Sequence, residues 1–348
     1  MQQQSNKMLE ALTYDDVLLQ PQYSEIRSRG DIDTSTDLGK LINLGMPIIS
    51  SPMDTITGGR MAAAMTRHGG LGIVHRYNTA EEQMLEIIKA YENSNNKIIV
   101  GAAVGTSGDY LDRARSLISA GVNLICVDVA HGHHVLMKEA LYNLRKMAPN
   151  LHIMAGNVAT LEGVNDLADW GADSIRCNIG GGSICSTRTQ TGHGLPGLQT
   201  IFECSKTDRD VKIIADGGIR NSGDIVKALA AGADAVMCGS LFAGTSQTPG
   251  KVFEGTNGAK YKVYRGMASK EAQIEWRGKY SSFEGISSRA PYRGDVRFIL
   301  EDLERGIRSG LSYSGAHNLI DLQRKAKFVR QTTAGLGESM THINTRKW

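Results

Sequence analysis

The feature that most limits what this chain can become is a rhythm that begins at residue 47. Short β-branched runs alternate with amphipathic helical patterns, unit after unit. Strands are predicted at Pro47–Ser51, Leu71–His75, Lys97–Ala102, Asn123–Asp128, His152–Gly156, Ser174–Asn178, Lys212–Ala215 and Ala235–Gly239. Between them, TAEEQMLEIIKAYENS opens on Thr79 with Glu82 three residues later, a capping box. The helical stretches that end at Gly121, Gly171 and Gly232 carry glycine where a helix C-terminus turns left-handed. Strands alternating with helices pair in parallel through right-handed crossovers. Eight such units imply a closed α/β structure, a (β/α)8 TIM barrel. The competing open, doubly wound sheet is disfavoured because no G-x-G-x-x-G follows the first strand.

Around that rhythm, residues 1–46 read as an irregular cap with short strands. Residues 250–294 interrupt the barrel as an inserted hairpin around Thr256-Asn257-Gly258 followed by a long polar segment, read as an active-site lid. The helical pattern DVRFILEDLERGIRSG then completes the eighth unit. All of residues 1–348 are taken as one catalytic domain.

Composition matters here for what it excludes. Lys and Arg number 39 against 36 Asp and Glu, a net charge of +3, which gives no electrostatic reason to expect nucleic acid or a membrane surface as partner. No apolar stretch approaches the roughly 18 residues of a membrane span, and the polar start MQQQSNKMLE lacks a signal peptide's apolar region. The five cysteines (Cys126, Cys177, Cys185, Cys204, Cys238) are odd in number and widely spaced, with no C-x-x-C, so neither a disulfide framework nor a zinc site is encoded. A cytoplasmic location is the expectation. Cys126, Cys177 and Cys238 lie in apolar runs and are expected to be buried.

In a barrel of this kind, chemistry sits at the C-terminal ends of the strands. The residues there are Ser51, Pro52, Met53 and Asp54 after the first strand, then His75 and Arg76, then Asp128 and His131-Gly132, then Asn157. After the sixth strand comes GGGSICSTRTQTGHG, where Cys185 sits between Ser183 and Ser186 with Arg188 nearby; a neighbouring cation lowers a thiol's pKa, so a nucleophile is plausible there. The loops after strands seven and eight carry Asp216, Gly217, Gly218, Gly239 and Ser240, at the place where such barrels hold phosphate. A carboxylate at 216 suits a ribose diol, so the pair of loops suggests a nucleoside monophosphate. The histidines of HGHH (His131, His133, His134) have no matching carboxylate or His set after neighbouring strands; helix capping or solvent exposure is expected for them rather than metal binding.

IGGGSICSTRTQTGHG resembles the Cys-loop signature shared by IMP dehydrogenases and GMP reductases. SSPMDT, VGAAVG, VDVAHGH, AGNVAT, IIADGGIR and YRGMAS resemble further blocks of that superfamily, in its order, from about Leu12 to Ile343. The resemblance implies that Cys185 attacks purine C2, with Thr187 and Glu284 handling the proton of departing ammonia. It places Ser51, Met53, Ser183, Asp216, Gly217, Gly218, Gly239, Ser240, Tyr264, Gly266 and Met267 around the nucleotide. It assigns Asp128, Ala130, His131 and Asn157 to the nicotinamide side, and the backbone carbonyls of Gly180, Gly182 and Cys185 to a monovalent cation such as K+. Relatives form tetramers.

Between the two activities, the lid decides the reading. After Gly266-Met267-Ala268-Ser269 there is no adjacent Arg-Tyr pair of the dehydrogenase kind, since Arg277 and Tyr280 are separated, and Phe283-Glu284-Gly285 looks like a reductase piece. Tyr91–Lys97 is only a short connection, so the tandem CBS module common in dehydrogenases is absent from that position. The reading is an NADPH-dependent GMP reductase. The alternatives are an NAD-dependent IMP dehydrogenase without CBS domains, and a non-catalytic purine-nucleotide-binding barrel. The chain departs from the family pattern at Asn178 (usually Gly), Gly181 (usually Pro), Ser186 (usually Thr) and Gly197 (usually Gln).

Overall fold

The computed structural model describes residues 8–94, 98–280, 283–339 and 341. Eight parallel strands close on themselves: β1 (Ile48–Ser50), β2 (Leu71–Val74), β3 (Val100–Val104), β4 (Leu124–Asp128), β5 (His152–Val158), β6 (Ser174–Cys177), β7 (Lys212–Asp216) and β8 (Ala235–Cys238). β6 pairs with β7 and β8 pairs with β1, so no strand edge is left. All eight predicted strands are present, with boundaries moved by a residue or two at most ends. β3 begins at Val100, and Lys97, where its predicted start fell, lies outside the described residues.

Alternation along each strand sorts the side chains into two cores. Ile48, Ile125, Val127, Ile153, Ile175, Ile213 and Val236 point outward into a layer shared with the helices. Ile49, Ile73, Leu124, Cys126, Met154, Ile214 and Met237 point inward and fill the barrel. The helices α1 (Gly59–Arg67), α2 (Ala80–Glu92), α3 (Tyr110–Ser119), α4 (Val135–Met147), α5 (Leu161–Asp169), α6 (Gly197–Cys204), α7 (Ser222–Ala230) and α8 (Val296–Tyr313) form the outer ring. The Thr79/Glu82 capping box at the start of α2 is formed as expected, Thr79 Oγ1 accepting from Glu82 N–H and Glu82 accepting from Thr79 N–H.

The cap segment contains a pair of two-residue antiparallel strands, Thr36–Asp37 and Asn43–Leu44. Its Leu38, Ile42 and Leu44 join the inward-facing cluster and plug the N-terminal mouth of the barrel. At the other mouth, the insertion forms a three-stranded antiparallel sheet of Phe253–Glu254, Lys260–Arg265 and Ser287–Pro291. Its turn is the predicted one: Gly258 has φ +74°, which glycine adopts freely, and Asn257 Oδ1 accepts from Ala259 N–H. The polar stretch read as irregular contains a helix, Lys270–Arg277, capped by Ser269. No helix among the described residues is long and apolar enough to cross a membrane.

Candidate active site

The C-terminal mouth holds a cavity of about 450 Å³ whose wall includes residues from every strand end except β3. That volume suits a small ligand buried on most sides. Of the predicted site residues, Ser51, Met53, Asp128, Ala130, Asn157, Gly180, Gly182, Ser183, Cys185, Thr187, Asp216, Gly217, Gly218, Gly239, Ser240, Tyr264, Gly266, Met267 and Glu284 all line it. His131 is exposed and stands outside that lining. The rest of HGHH behaves structurally: His134 Nδ1 caps α4 by accepting from Leu136 N–H, and His133 pairs with Asp166 at 2.8 Å.

The Cys185 loop is delivered by β6 and held by the insertion. Ser186 N–H donates to the Glu284 carbonyl at 2.8 Å, and Ile286 N–H donates to the Ile184 carbonyl at 3.0 Å. On the other side of the same return segment, Glu284 N–H donates to Ala268 and Gly266 N–H to Ile286. This zip of backbone bonds carries the Glu284 carboxylate onto the loop. Thr187 Oγ1 donates to Glu284 Oε2 at 2.8 Å, and Cys185 Sγ lies 3.1 Å from Thr187 Oγ1. Because the threonine proton points to the carboxylate, its oxygen is free to accept from the thiol. The chain therefore runs thiol to hydroxyl to carboxylate. Cys185 is exposed while the other four cysteines are buried.

Arg188 does not stand beside the thiol as its sequence position suggested. Its guanidinium turns inward, donating to the Ile179 carbonyl at 3.1 Å, the Leu195 carbonyl at 2.5 Å and Asn178 Oδ1 at 3.3 Å. The reason is local: two glycine-rich arms leave carbonyls with no helix or sheet partner, and a guanidinium satisfies several at once.

The β7 and β8 loops pack against the Cys loop with little clearance. Gly217 and Gly218 have φ of +82° and +76°, and a side chain on Gly217 would lie 3.3 Å from Gly182 N. At Gly239 an added carbon would meet Met53 Sδ at 3.0 Å and Tyr264 Oη at 3.4 Å. Tyr264 Oη is 3.3 Å from Ser183 Oγ, which joins the hairpin to the Cys loop. Burial pushes the Tyr264 phenol above its usual range, with the Ser183 bond pulling the other way, so it stays protonated and can donate.

Sequence reasoning missed the group at the centre of the site. Arg176 lies between outward-facing Ile175 and Cys177, so alternation turns it into the barrel. There it bonds Asp128 and, through Nε and Nη2, Asp216 Oδ2 at 3.0 and 2.8 Å. Burial alone would lower its pKa, but Asp216 and Asp128 overcome this and hold it well above the ordinary guanidinium value. Asn157 Nδ2 also donates to Asp216 Oδ2, at 2.8 Å, and to the Asn178 carbonyl at 2.9 Å. The three described donors to Asp216 all land on Oδ2. A charge inside an otherwise uncharged, buried strand, Ser-Ile-Arg-Cys, was the available signal.

The cavity's outer rim is an aromatic stack that docks the helix Lys270–Arg277 of the insertion. Tyr77 and Trp276 stack at 5.8 Å and 17°, with Arg76 over Tyr77 and Arg113 against Trp276. Next to Trp276, Arg277 reaches the cavity wall.

Residues 11–342 match the family model described as "IMP dehydrogenase / GMP reductase domain". The chain belongs to the IMP dehydrogenase/GMP reductase family. It is 34% identical to inosine-5′-monophosphate dehydrogenase of Nitrosopumilus maritimus, over 96% of this chain and 98% of that one. It is 32% identical to GMP reductase of Leishmania major, over 96% and 97%. Its fold matches a crystal structure of a cysteine-to-alanine variant of GMP reductase from Trypanosoma brucei in complex with guanosine 5′-monophosphate, with a TM-score of 0.90, 30% identity and 98% and 99% of the two chains covered. The family is one of oxidoreductases that use a nicotinamide nucleotide. Relatives of both names are similar to this chain to nearly the same degree, so family membership alone leaves the activity open between them.

Proposed function

We propose that this chain is a GMP reductase, converting GMP to IMP and ammonia at the expense of NADPH through a covalent bond to Cys185. The observation that carries this reading is the hydrogen-bonded chain from Cys185 through Thr187 to Glu284. Reductive deamination needs a thiolate and then a proton for the leaving amine, and one relay running between thiol and carboxylate serves both.

GMP is placed with its phosphate on Gly217, Gly218, Gly239 and Ser240, and its ribose hydroxyls on Asp216, whose Oδ2 is occupied by Arg176 and Asn157. Thr187 takes the Cys185 proton and passes one to Glu284. The thiolate adds to C2. Glu284 returns a proton through Thr187 to the 2-amino group, the C2–N bond breaks, and ammonia leaves. The chemistry that a bound reduced nicotinamide would supply is hydride to C2; departure of the Cys185 thiolate from C2 would then give IMP.

The wall formed by Asp128, Val129, Ala130, Arg76 and Tyr77 fits such a cofactor. It offers the Asp128 carboxylate and, 3.8 Å from it, the Arg76 guanidinium, whose buried Nε has no hydrogen-bond partner among the described residues. The carbonyls of Gly180, Gly182 and Cys185 are proposed to hold a monovalent cation that braces the loop; Gly182 O accepts the Cys185 N–H at 3.1 Å and keeps its second lone pair. A homotetramer is the proposed assembly.

The second reading, an IMP dehydrogenase using NAD, is favoured by Arg277 on the cavity wall, a cation that could activate water, and by the relatives of that name. The two are separated by following nicotinamide absorbance with GMP plus NADPH and with IMP plus NAD. Turnover with the first pair is expected, and turnover with the second pair alone overturns the proposal. Glu284→Gln is expected to lower kcat by about 10²–10⁴-fold with little change in the KM for GMP.

A further inference from the structure

The side chain of Asn178 lies where the Cys loop meets the nucleotide cradle. Its backbone has φ +141°, a conformation that favours glycine, although its side chain carries a β-carbon. It is buried, and its bonds radiate to three parts of the site. Its carbonyl accepts from Asn157, which also holds Asp216. Its Nδ2 lies 3.4 Å from the Gly217 carbonyl in the phosphate loop, as donor. Its Oδ1 accepts from Arg188, which gathers the two arms of the Cys loop.

Two nearby glycines have a physical reason to be glycine. A β-carbon on Gly181 would fall 2.1 Å from Asn178 Nδ2 and 2.8 Å from both Cγ and Oδ1, so the whole carboxamide stands in its place. A β-carbon on Gly197 would lie 3.2 Å from the same Nδ2 and 3.3 Å from the Tyr14 ring, a tight contact shared by the two neighbours. Neither glycine has a left-handed φ, so their backbones would accept alanine. What excludes a side chain at 181 is the carboxamide. It could swing aside only by giving up its bonds to Gly217 and Arg188.

We infer that Asn178 is a positioning residue that fixes how the Cys185 loop seats on the Asp216–Gly218 loop, and that Gly181 lacks a side chain because the Asn178 carboxamide fills that volume, the same group also crowding Gly197. Three of the four departures from the family pattern, at Asn178, Gly181 and Gly197, thus meet in one packing arrangement. The inference rests on the reading that Cys185 attacks a nucleotide held by residues 216–218.

The test is a double-mutant cycle on the full chain, with GMP and NADPH as substrates. Gly181→Ala is expected to lower kcat about 10–100-fold, the scale for sub-ångström to ångström misplacement of a nucleophile, while the KM for GMP moves less than about threefold. Asn178→Gly is expected to lower kcat about tenfold, since the seating bonds are lost. In the Asn178→Gly background the added alanine enters an emptied volume, so Gly181→Ala is expected to cost less than about twofold there. The same cost in both backgrounds, no cost in either, or a loss in KM alone overturns the inference. If Gly181→Ala does not fold, Gly197→Ala closes the same cycle. Cys185→Ala run in parallel separates the failures. Activity surviving in that variant sinks the covalent reading, whereas its loss beside background-independent glycine effects sinks only the role of Asn178.

Discussion

The two mouths of this barrel are made by the same eight strands under the same alternation, and they have been finished in opposite ways. At the N-terminal mouth the inward positions are closed over by Leu38, Ile42 and Leu44 of the cap. The polar pair there, His152 and Ser174, is complete within the protein, with Nε2 to Oγ at 2.8 Å. At the C-terminal mouth the inward positions are Asp128, Arg176 and Asp216, and the space above them stays open. The difference shows what a strand end must supply in each role. A mouth that only closes the fold needs apolar volume. A mouth that binds needs charges fixed by their neighbours and still facing the cavity, as Asp216 is when its donors gather on one oxygen.

The largest expected separation between the two mouths is chemical. Cys185→Ala is expected to lower kcat/KM by about 10⁴-fold or more, as removal of a nucleophile does elsewhere, with the thermal midpoint unchanged because the thiol is exposed. Steady-state kinetics alongside calorimetric melting checks it. A large drop in melting temperature would show that the loop carries fold as well as function.

Arg176→Met breaks the comparison from the other side. It leaves Asp128 and Asp216 in the barrel without their shared counter-charge, and removing one partner of a buried ion pair costs about 3–5 kcal/mol. Urea unfolding should show that loss together with loss of activity. A variant of unchanged stability would mean that water or Arg76, which stands 3.8 Å from Asp128, neutralises the pair instead.

These two residues also mark what could be read in advance. Cys185 was legible because a glycine loop after the sixth strand has only one face to occupy. Arg176 was not, because its strand was read for apolar content, and only the alternation of Ile175 and Cys177 shows that it points inward. The barrel strands were visible from their β-branched runs. Residues 1–46 were read as a cap with short strands, but not as the plug of one mouth, since strands of two residues each are too short to show which face turns inward. The helix Lys270–Arg277 was not separated from the long polar segment because its sequence, KEAQIEWR, is largely polar; it is fixed by Ser269 at its start and by Trp276 against Tyr77. Arg188 faced the carbonyls of its own loop, a preference that spacing from Cys185 cannot convey.

At the closing mouth, Leu44→Ala removes a fully enclosed side chain from the plug and is expected to cost about 3 kcal/mol of stability. Its kcat should stay within about twofold of the parent, because the plug lies at the opposite end of the strands from Cys185. Chemical denaturation and kinetics on one preparation test both halves, and a matching fall in kcat would mean the two mouths are mechanically linked.

The smallest expected effect concerns His152, which is the polar counterpart of the plug. Burial holds its imidazole neutral, with a pKa pushed down to about 4 from 6.5. Nδ1 faces the Gly39 carbonyl and so carries the proton, which leaves Nε2 to accept from Ser174. At pH 8 the residue is neutral folded and unfolded and contributes no pH dependence. As pH falls below 6.5 the unfolded chain takes up a proton that the folded chain refuses until about pH 4. Stability therefore declines across that window, by about 3 kcal/mol in all, and levels off below it as far as this group is concerned. Carboxylates titrate in the lower part of the same range, so the quantity to measure is the difference in unfolding free energy between the parent and His152→Gln at several pH values. The difference should shrink from pH 7 to pH 4. A constant difference would show that the imidazole titrates alike in the folded and unfolded chain, and a difference that widens as the pH falls would show that it is already protonated when folded, with Asp173 rather than burial setting its charge, so that the closing mouth holds a charge as the binding mouth does.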